Sequence, residues 1–164
     1  QPGDQRRRFA VKDYLADVLG SLQPAIKRTP HRVEVRGAAD VAIDSYPGAL
    51  AQIATNLVTN ALMHAFDRRA APGLVTFDVG WSDGRARIVY RDDGNGMDAG
   101  TLERILEPFF TTRRGTGGTG LGLTIIHNLV THRLGGTMAM RSAPGAGFEI
   151  EFLLPKSAPV PAGH

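Results

Sequence analysis

A glycine-rich segment that leads directly into an amphipathic helix limits the possible folds of this chain more than any other feature. Residues 113–128 read RRGTGGTGLGLTIIHN, and apolar residues continue at helical spacing as far as Leu134. Glycine is costly to order, so a run this dense suggests that something must approach the backbone closely. The free N–H groups at a helix N-terminus bind anions, whereas polar residues would follow a flexible linker. The segment therefore predicts a phosphate site, with a linker as the alternative.

Composition and charge exclude several classes of protein. The 164 residues suffice for one domain with its own core, and the contents of hydrophobic (42%) and charged (21%) residues are those of an ordinary globular protein. No apolar run is long enough to span a bilayer, and the chain has no cysteine for disulfide or thiol chemistry. The net charge of +3 is small and the basic residues are in short groups, which argues against nucleic-acid binding. We expect a cytoplasmic protein.

Hydrophobic periodicity predicts helices that alternate with paired strands. Helical spacing covers residues 9–28, 47–66, 101–106 and 121–134. Strands are predicted at residues 31–36, 41–43 (as a short partner strand), 74–80, 85–90, 137–141 and 148–154. The strands at 74–80 and 85–90 form a hairpin around residues 82–84, and residues 107–120 have no clear period. The expected fold class is an α/β or α+β sandwich, with helices covering one sheet.

Other glycine signatures fit the chain poorly. Gly115, Gly117 and Gly120 match G-x-G-x-x-G, but a dinucleotide-binding fold also needs a strand just before and an acidic residue about 20 positions later. Neither is present. A P-loop would need Gly-Lys followed by Ser or Thr, and a protein-kinase glycine loop would need an H-R-D motif. The chain lacks both.

A second candidate site is the sequence DDGNGM at residues 92–97, after the predicted strand 85–90. It fails as a calcium loop, because no register places oxygen ligands at positions one, three and five. As Asp-x-Gly-x-Gly, it places the Asp92 carboxylate beside Gly94 and Gly96, which allow close approach of the backbone. Such a carboxylate can accept a hydrogen bond from the exocyclic amine of adenine. A simple turn is the alternative, since Asp-Gly and Asn-Gly are common turn dipeptides.

A third candidate site lies on the predicted helix 47–66. Asn56 and Asn60 are four residues apart and therefore share one face of that helix. Amides are costly to bury without partners. The carbonyl oxygen of asparagine is a suitable ligand for Mg²⁺, which usually keeps waters and substrate phosphates as its other ligands. Exposed amides without a function are the alternative.

Five motifs, in this order, closely resemble the catalytic ATP-binding domain of sensor histidine kinases. They are NLVTNA, DDGNGM, EPFFTT, GGTGLGL and GG…PGAG, which match the N, G1, F, G2 and G3 boxes of that family within residues 47–155. The resemblance implies a Bergerat fold, in which three helices pack on one side of a mixed β-sheet and ATP lies between the helices and a mobile lid. It also implies transfer of the γ-phosphoryl group of Mg-ATP to a histidine.

The resemblance implies roles for particular residues in this fold. Asn60 would bind Mg²⁺, and Asn56 would support the phosphate end of the nucleotide. Asp92 would accept a hydrogen bond from the adenine amine, with Gly94 and Gly96 forming the floor of the base pocket.

The resemblance also implies contacts from the lid and from the glycine-rich segment. Phe109 and Phe110 would anchor the lid, and Arg113 or Arg114 would face the γ-phosphate. The glycines of the G2 box would open the helix N-terminus towards the phosphates. The other predicted nucleotide contacts are His64, Met97, Thr111, Thr112, Gly117, Gly118, Thr119, Gly120, Leu121, Gly122 and Leu123.

The chain departs from the family at two places. Met63 and His64 lie where the family commonly has a basic residue and a tyrosine, which leaves His64 as the phosphate contact from that helix. A lone histidine at a helix end is, however, more often structural. Phe148 follows the last glycine of the G3 box, where family members often have a threonine. A hydroxyl or water bridge to the base from that position is therefore lost.

The phospho-acceptor is expected to lie outside this chain. An acceptor motif has a histidine followed by an acidic residue and a nearby proline, and none of the five histidines has this context. The expected partners are the histidine-bearing dimerisation domain of a parent kinase and, indirectly, a response regulator. We expect the isolated domain to be monomeric and the parent to be a homodimer, which an anchor could hold at the inner membrane.

The sequence also predicts the organisation of the chain. Residues 1–30 would be a helical segment leading from the missing histidine-bearing domain, residues 31–155 the ATP-binding domain and residues 156–164 a flexible tail.

Two other functions use the same fold. ATP-hydrolysing enzymes of the gyrase, mismatch-repair and heat-shock-protein type activate water with a glutamate one turn before the metal-binding asparagine, where this chain has Asn56. A nucleotide-binding regulatory module without catalysis is the other alternative.

Overall fold

A mixed five-stranded sheet forms one layer of the structure, a computed structural model that describes residues 4–66, 71–96 and 121–160. Its strands are β2 (Arg32–Gly37), β4 (Leu74–Ser82), β5 (Arg85–Asp92), β6 (Thr137–Ser142) and β7 (Phe148–Leu154). They lie in the order β2-β4-β5-β7-β6, with β2 parallel to β4 and the other pairs antiparallel. A separate antiparallel pair consists of β1 (Arg7–Ala10) and β3 (Ala42–Ser45).

The helices form the second layer. They are α1 (Val11–Ser21), α2 (Gln23–Lys27), α3 (Pro47–Asn60) and α4 (Leu121–Asn128). The last two continue directly as π-helical turns, at Ala61–Ala65 after α3 and at Leu129–Arg133 after α4. Leu15 of α1, Ile53 of α3 and Ile126 of α4 share one buried core with Ile88 and Phe152 of the sheet. The predicted two-layer sandwich is therefore confirmed.

The opposite face of the sheet carries ion pairs between neighbouring strands. Arg87 on β5 pairs with Glu151 on β7, and Arg91 and Arg141 both pair with Glu149. Partly exposed pairs of this kind contribute little to stability. They show that strands β5 to β7 alternate between an apolar face towards the helices and a charged face away from them.

The hairpin of β4 and β5 confirms a local prediction. Asp83 and Gly84 form the two-residue turn, and both have positive φ angles, of 50° and 77°. Two-residue turns with positive φ match the right-handed twist of paired strands, which is why Asp-Gly favours hairpins. The strands extend two residues beyond the predicted ends, to Ser82 and Asp92.

Two predictions near the N-terminus are wrong in detail. The predicted helix 9–28 begins two residues later, because residues 9 and 10 belong to β1, and it is divided into α1 and α2 at Leu22. Pro24, the second residue of α2, has no N–H group to continue the helical hydrogen bonds of α1. The strand predicted at 41–43 begins at Ala42 and pairs with β1 rather than with β2, with Ile43 opposite Phe9.

Both ends of the described chain pack on this domain. Phe9 and Leu15, from the segment 1–30, belong to the common core. Ala158 is buried, and its N–H donates to the Asp44 carbonyl at 2.7 Å. Residues 156–158 of the predicted tail are therefore held against β3. Residues 161–164 lie outside the described residues, as do the predicted helix 101–106 and lid 107–120. No helix in the described part of the chain is both long and apolar enough to cross a membrane.

Candidate nucleotide-binding site

The Asp92 carboxylate lies at the end of β5, on the face of the sheet that the helices cover. Asp92 is 7% exposed and is the only buried charged residue in the described ranges. The Tyr90 hydroxyl donates to Oδ2 at 2.7 Å, and the Gly94 N–H donates to Oδ1 at 3.0 Å. Burial raises the pKa of Asp92, and these two hydrogen bonds, together with one from the Phe148 backbone, oppose the rise. Because a buried carboxylate is costly, this position suggests a function rather than a simple turn.

Asp93, the next residue, has a different environment. It is exposed, and its Oδ1 accepts the Leu74 N–H at 2.8 Å. Its own N–H donates to the Leu74 carbonyl at 3.2 Å, so Asp93 extends the pairing between β4 and β5. Asp93 therefore has a structural role in the chain reversal, whereas the side chain of Asp92 points into the interior.

The loop after β5 packs against the π-helical turn that follows α3. The Asn95 N–H donates to the Ala65 carbonyl at 2.8 Å. Gly94 lies so close to this turn that an added Cβ would overlap the same carbonyl oxygen. The second candidate site thus touches the end of the helix that carries the third.

The loop between β6 and β7, at residues 143–147, also packs against the loop after β5. The Gly145 N–H donates to the Asn95 carbonyl at 2.7 Å. Gly96, with a φ of +70°, lies against the Ala143 carbonyl, and Gly147, with a φ of +79°, lies against the Asp92 carbonyl. The glycines of the DDGNGM and PGAG motifs therefore allow two loops to approach each other. This contact fixes the backbone around Asp92.

Substitution of Gly147 with alanine tests that packing. Gly145→Ala is the matched control, because Gly145 has a similar φ of +77° but open space where a Cβ would lie. The control should lose about 1–2 kcal/mol of unfolding free energy from the left-handed backbone alone. Gly147→Ala should lose about 1–3 kcal/mol more, because its methyl group would overlap the Asp92 carbonyl. Urea denaturation of both variants measures the difference, and equal losses would contradict the packing role of Gly147.

Asn56 and Asn60 lie on α3, on the helix face where residues are only half-buried. In the described part of the chain, neither side-chain amide forms a hydrogen bond with another residue. Their neighbours Ile53 and Leu57 point into the core, so the amides lie at its margin. Two half-exposed amide oxygens one turn apart suit a hard cation that keeps waters and phosphate oxygens as its other ligands. His64 follows one turn later, half-buried in the π-helical turn.

The glycine-rich segment leads into α4 as predicted, since the helix begins at Leu121. Leu123 is 6% exposed and belongs to the common core, so its side chain packs inside the protein. Its contact with the nucleotide stays a prediction, and with the side chain buried it would involve the backbone. The predicted contacts outside the described residues are Met97, Phe109, Phe110, Thr111, Thr112, Arg113, Arg114, Gly117, Gly118, Thr119 and Gly120.

Tyr90 is a residue of this site that sequence analysis missed. Its position was visible in the sequence, because residues two apart on a strand point to the same face. A tyrosine two residues before an inward-pointing aspartate can donate to the carboxylate, and the structure shows this hydrogen bond.

A separate cavity of about 710 Å³ lies beside the π-helical turn of α4. It is lined by Tyr46, Arg133 and Pro159, among others, and by none of the predicted nucleotide contacts. Ile125, which is 41% exposed, forms part of its wall. This cavity is therefore distinct from the site around Asp92.

Comparison with known proteins shows the family. A family model described as "Histidine kinase-, DNA gyrase B-, and HSP90-like ATPase" matches residues 46–158. The chain is 39% identical over 113 residues to the sensor histidine kinase ZraS of Klebsiella oxytoca, covering 69% of this chain and 23% of that protein. It is 36% identical over 142 residues to the two-component sensor PprA of Pseudomonas aeruginosa, covering 80% of this chain and 14% of that protein. The chain thus spans less than a quarter of these relatives.

Solved structures show the same fold. The catalytic domain of the histidine kinase ThkA, in a nucleotide-free form, has a TM-score of 0.79 at 22% identity, covering 93% of this chain and 97% of that domain. ThkA in complex with the response regulator protein TrrA has a TM-score of 0.75 at 19% identity, covering 92% of this chain and 42% of that chain. The chain therefore belongs to the family of histidine kinase-, DNA gyrase B- and HSP90-like ATPases, and it has the Bergerat fold of a histidine kinase catalytic domain.

Proposed function

We propose that this chain is the ATP-binding catalytic domain of a two-component sensor histidine kinase. It would bind Mg-ATP and present the γ-phosphoryl group to a histidine on a separate dimerisation domain. Family membership and fold support this proposal, as do the sensor kinases among its relatives. A response regulator would receive the phosphoryl group afterwards, and the solved complex of ThkA with TrrA supports such a partner by analogy.

The buried Asp92 carboxylate is the observation on which this proposal mainly depends. A carboxylate has about four lone-pair positions, and the hydrogen bonds from Tyr90, Gly94 and the Phe148 backbone use three of them. The remaining position can accept a hydrogen bond from the exocyclic amine of adenine. Guanine carries a carbonyl oxygen at the equivalent carbon, which would face the carboxylate without a proton between them. The arrangement therefore favours ATP over GTP.

The asparagines of α3 would hold the phosphate end of the nucleotide. The Asn60 amide oxygen suits Mg²⁺, and Asn56 lies one turn away on the same helix face. When bound, Mg²⁺ would neutralise phosphate charge. Phosphoryl transfer depends mainly on positioning and on stabilising charge, so these residues would align the nucleotide. Arg113 or Arg114 remains the predicted γ-phosphate contact.

Substitution of Asp92 with alanine should weaken ATP binding by roughly tenfold or more, because a hydrogen bond to a charged group contributes about 1.5–3 kcal/mol. Asp93→Ala is the control. It removes a neighbouring carboxylate whose Oδ1 bonds to Leu74, so it should leave ATP affinity nearly unchanged. Calorimetric titration with ATP and GTP measures both effects. Equal ATP affinity in the wild type and in Asp92→Ala would contradict the assignment of Asp92.

A further inference from the structure

Tyr90 lies in the core with its hydroxyl directed at Asp92. It is 2% exposed, and its ring makes edge contacts with Phe77 at 5.5 Å and Phe148 at 6.2 Å between centroids. These contacts lie on neighbouring strands, since Phe77 is opposite Tyr90 on β4 and Phe148 is opposite Asp92 on β7. The ring is thus fixed on both sides, and its hydroxyl donates to Asp92 Oδ2 at 2.7 Å.

The Tyr90 hydroxyl remains a donor throughout the ordinary pH range. Burial raises the pKa of Tyr90 well above its usual value of 10, and the neighbouring Asp92 charge and the hydrogen bond raise it further. The same hydrogen bond lowers the pKa of Asp92 against the effect of burial. The hydroxyl therefore favours the ionised carboxylate, which is the better acceptor.

Orientation is the second effect of this contact. The terminal torsion of an aspartate side chain is broad, so a carboxylate held at one oxygen can still rotate. In this structure the Gly94 N–H holds Oδ1 and the Tyr90 hydroxyl holds Oδ2, which together fix the carboxylate plane. Without the Tyr90 hydroxyl, the described donors to this carboxylate would be the backbone N–H groups of Gly94 and Phe148, and no side chain would hold Oδ2.

We propose that Tyr90 is a positioning residue for adenine recognition, whose hydroxyl holds Asp92 in the orientation that accepts the exocyclic amine. The inference rests on the proposed function, in which Asp92 binds adenine. The hydroxyl that holds Asp92 comes from the same strand, β5. The residue opposite Asp92 on β7 is Phe148, whose side chain has no hydroxyl to donate. Tyr90 acts through Asp92 and is not assigned any contact with the nucleotide.

Tyr90→Phe tests the inference, because it removes the hydroxyl and keeps the ring. ATP affinity should fall about threefold to tenfold, which is less than in Asp92→Ala, because Tyr90 orients the acceptor and does not itself bond to the nucleotide. Purine riboside triphosphate, which is ATP without the exocyclic amine, should bind the wild type and Tyr90→Phe with affinities that agree within about twofold. Tyr46→Phe is the matched control. Tyr46 is also a buried tyrosine, and its hydroxyl donates to the Pro159 carbonyl at 3.4 Å, away from Asp92, so neither affinity should change.

The pair of nucleotides separates positioning from simple packing. A general loosening of the pocket in Tyr90→Phe would weaken both nucleotides equally, and that result would overturn the inference. Unchanged ATP affinity would overturn it as well. Comparing two ligands on the same protein also corrects for any unfolded fraction, which would lower both apparent affinities together.

Asp92→Ala distinguishes failure of this inference from failure of the proposed function. If Asp92→Ala keeps the preference for ATP over purine riboside triphosphate, the assignment of Asp92 is wrong and the inference fails with it. If Asp92→Ala abolishes the preference while Tyr90→Phe keeps it, only the role of Tyr90 is wrong. With both roles correct, Tyr90→Phe should have no further effect on ATP affinity in an Asp92→Ala background.

Discussion

Replacement of Asn60 by alanine should weaken the binding of Mg-ATP by about tenfold or more, because even residues that only support metal ligands typically contribute about 10–100-fold to metal affinity. Metal-free ATP should bind almost as before, since Asp92 and its partners Tyr90 and Gly94 are untouched. The substitution should not disturb the fold. Asn60 is half-buried at the end of α3, and alanine is the better helix former.

Titrations with excess magnesium and with a chelator decide this prediction. Thr59→Ala is the matched control, because Thr59 is exposed on the same turn of the helix and has no predicted ligand role. The control should bind ATP like the wild type under both conditions. Equal losses with and without magnesium in Asn60→Ala would mean that Asn60 supports the structure rather than the metal.

Local sequence signals predicted most of the sheet. The strand at Phe148–Leu154 was predicted with its observed ends, and the turn at Asp83 and Gly84 followed from its residue types. Strand β1 was missed, because Phe9 also fits the apolar spacing of α1. Its pairing with β3 joins residues more than 30 positions apart along the chain, a contact that local periodicity cannot indicate. Tertiary pairing decided that short segment.

The candidate site was predicted only in part, because local sequence patterns indicate which residues share a face but not which loops meet in the fold. The shared helix face of Asn56 and Asn60 follows from spacing alone. The separation of Asp92 from Asp93 follows from strand alternation, which also places Tyr90 beside Asp92. In contrast, the close approaches at Gly94 and Gly96 are to the protein's own backbone, and only the folded loops reveal them. The predicted approach of phosphates to residues 113–120 falls outside the described residues.

Hydrolysis of ATP by this chain alone should be slower by roughly 10²–10⁴ than in family members that place a glutamate at the position of Asn56, because a general base typically contributes that factor. An amide cannot accept the proton of an attacking water. Asp92 is a poor substitute, since both of its oxygens already accept hydrogen bonds within the core. A neutral histidine nitrogen on a partner domain is already nucleophilic and needs no such base.

Substitution of Asn56 tests whether the missing base limits hydrolysis. At saturating Mg-ATP, Asn56→Glu should release phosphate faster than the wild type, because it restores a carboxylate one turn before Asn60. Asn56→Gln is the matched control, since it has the same length as glutamate but cannot accept a proton, and it should remain slow. Equal rates in the two variants would show that something other than the absent base limits hydrolysis.

Radiolabelled ATP tests the same chemistry in the transfer reaction. The chain alone should acquire no label from γ-labelled ATP, because none of its five histidines has the context of a phospho-acceptor. Adding the histidine-bearing domain of its parent protein should produce label on that domain, and Asn60→Ala should reduce it. Positioning and charge stabilisation suffice once the acceptor is itself the nucleophile. Label on the chain itself would show that the chain carries its own acceptor and would contradict its role as a donor to a separate domain. Rapid phosphate release without the added domain would favour an ATP-hydrolysing enzyme.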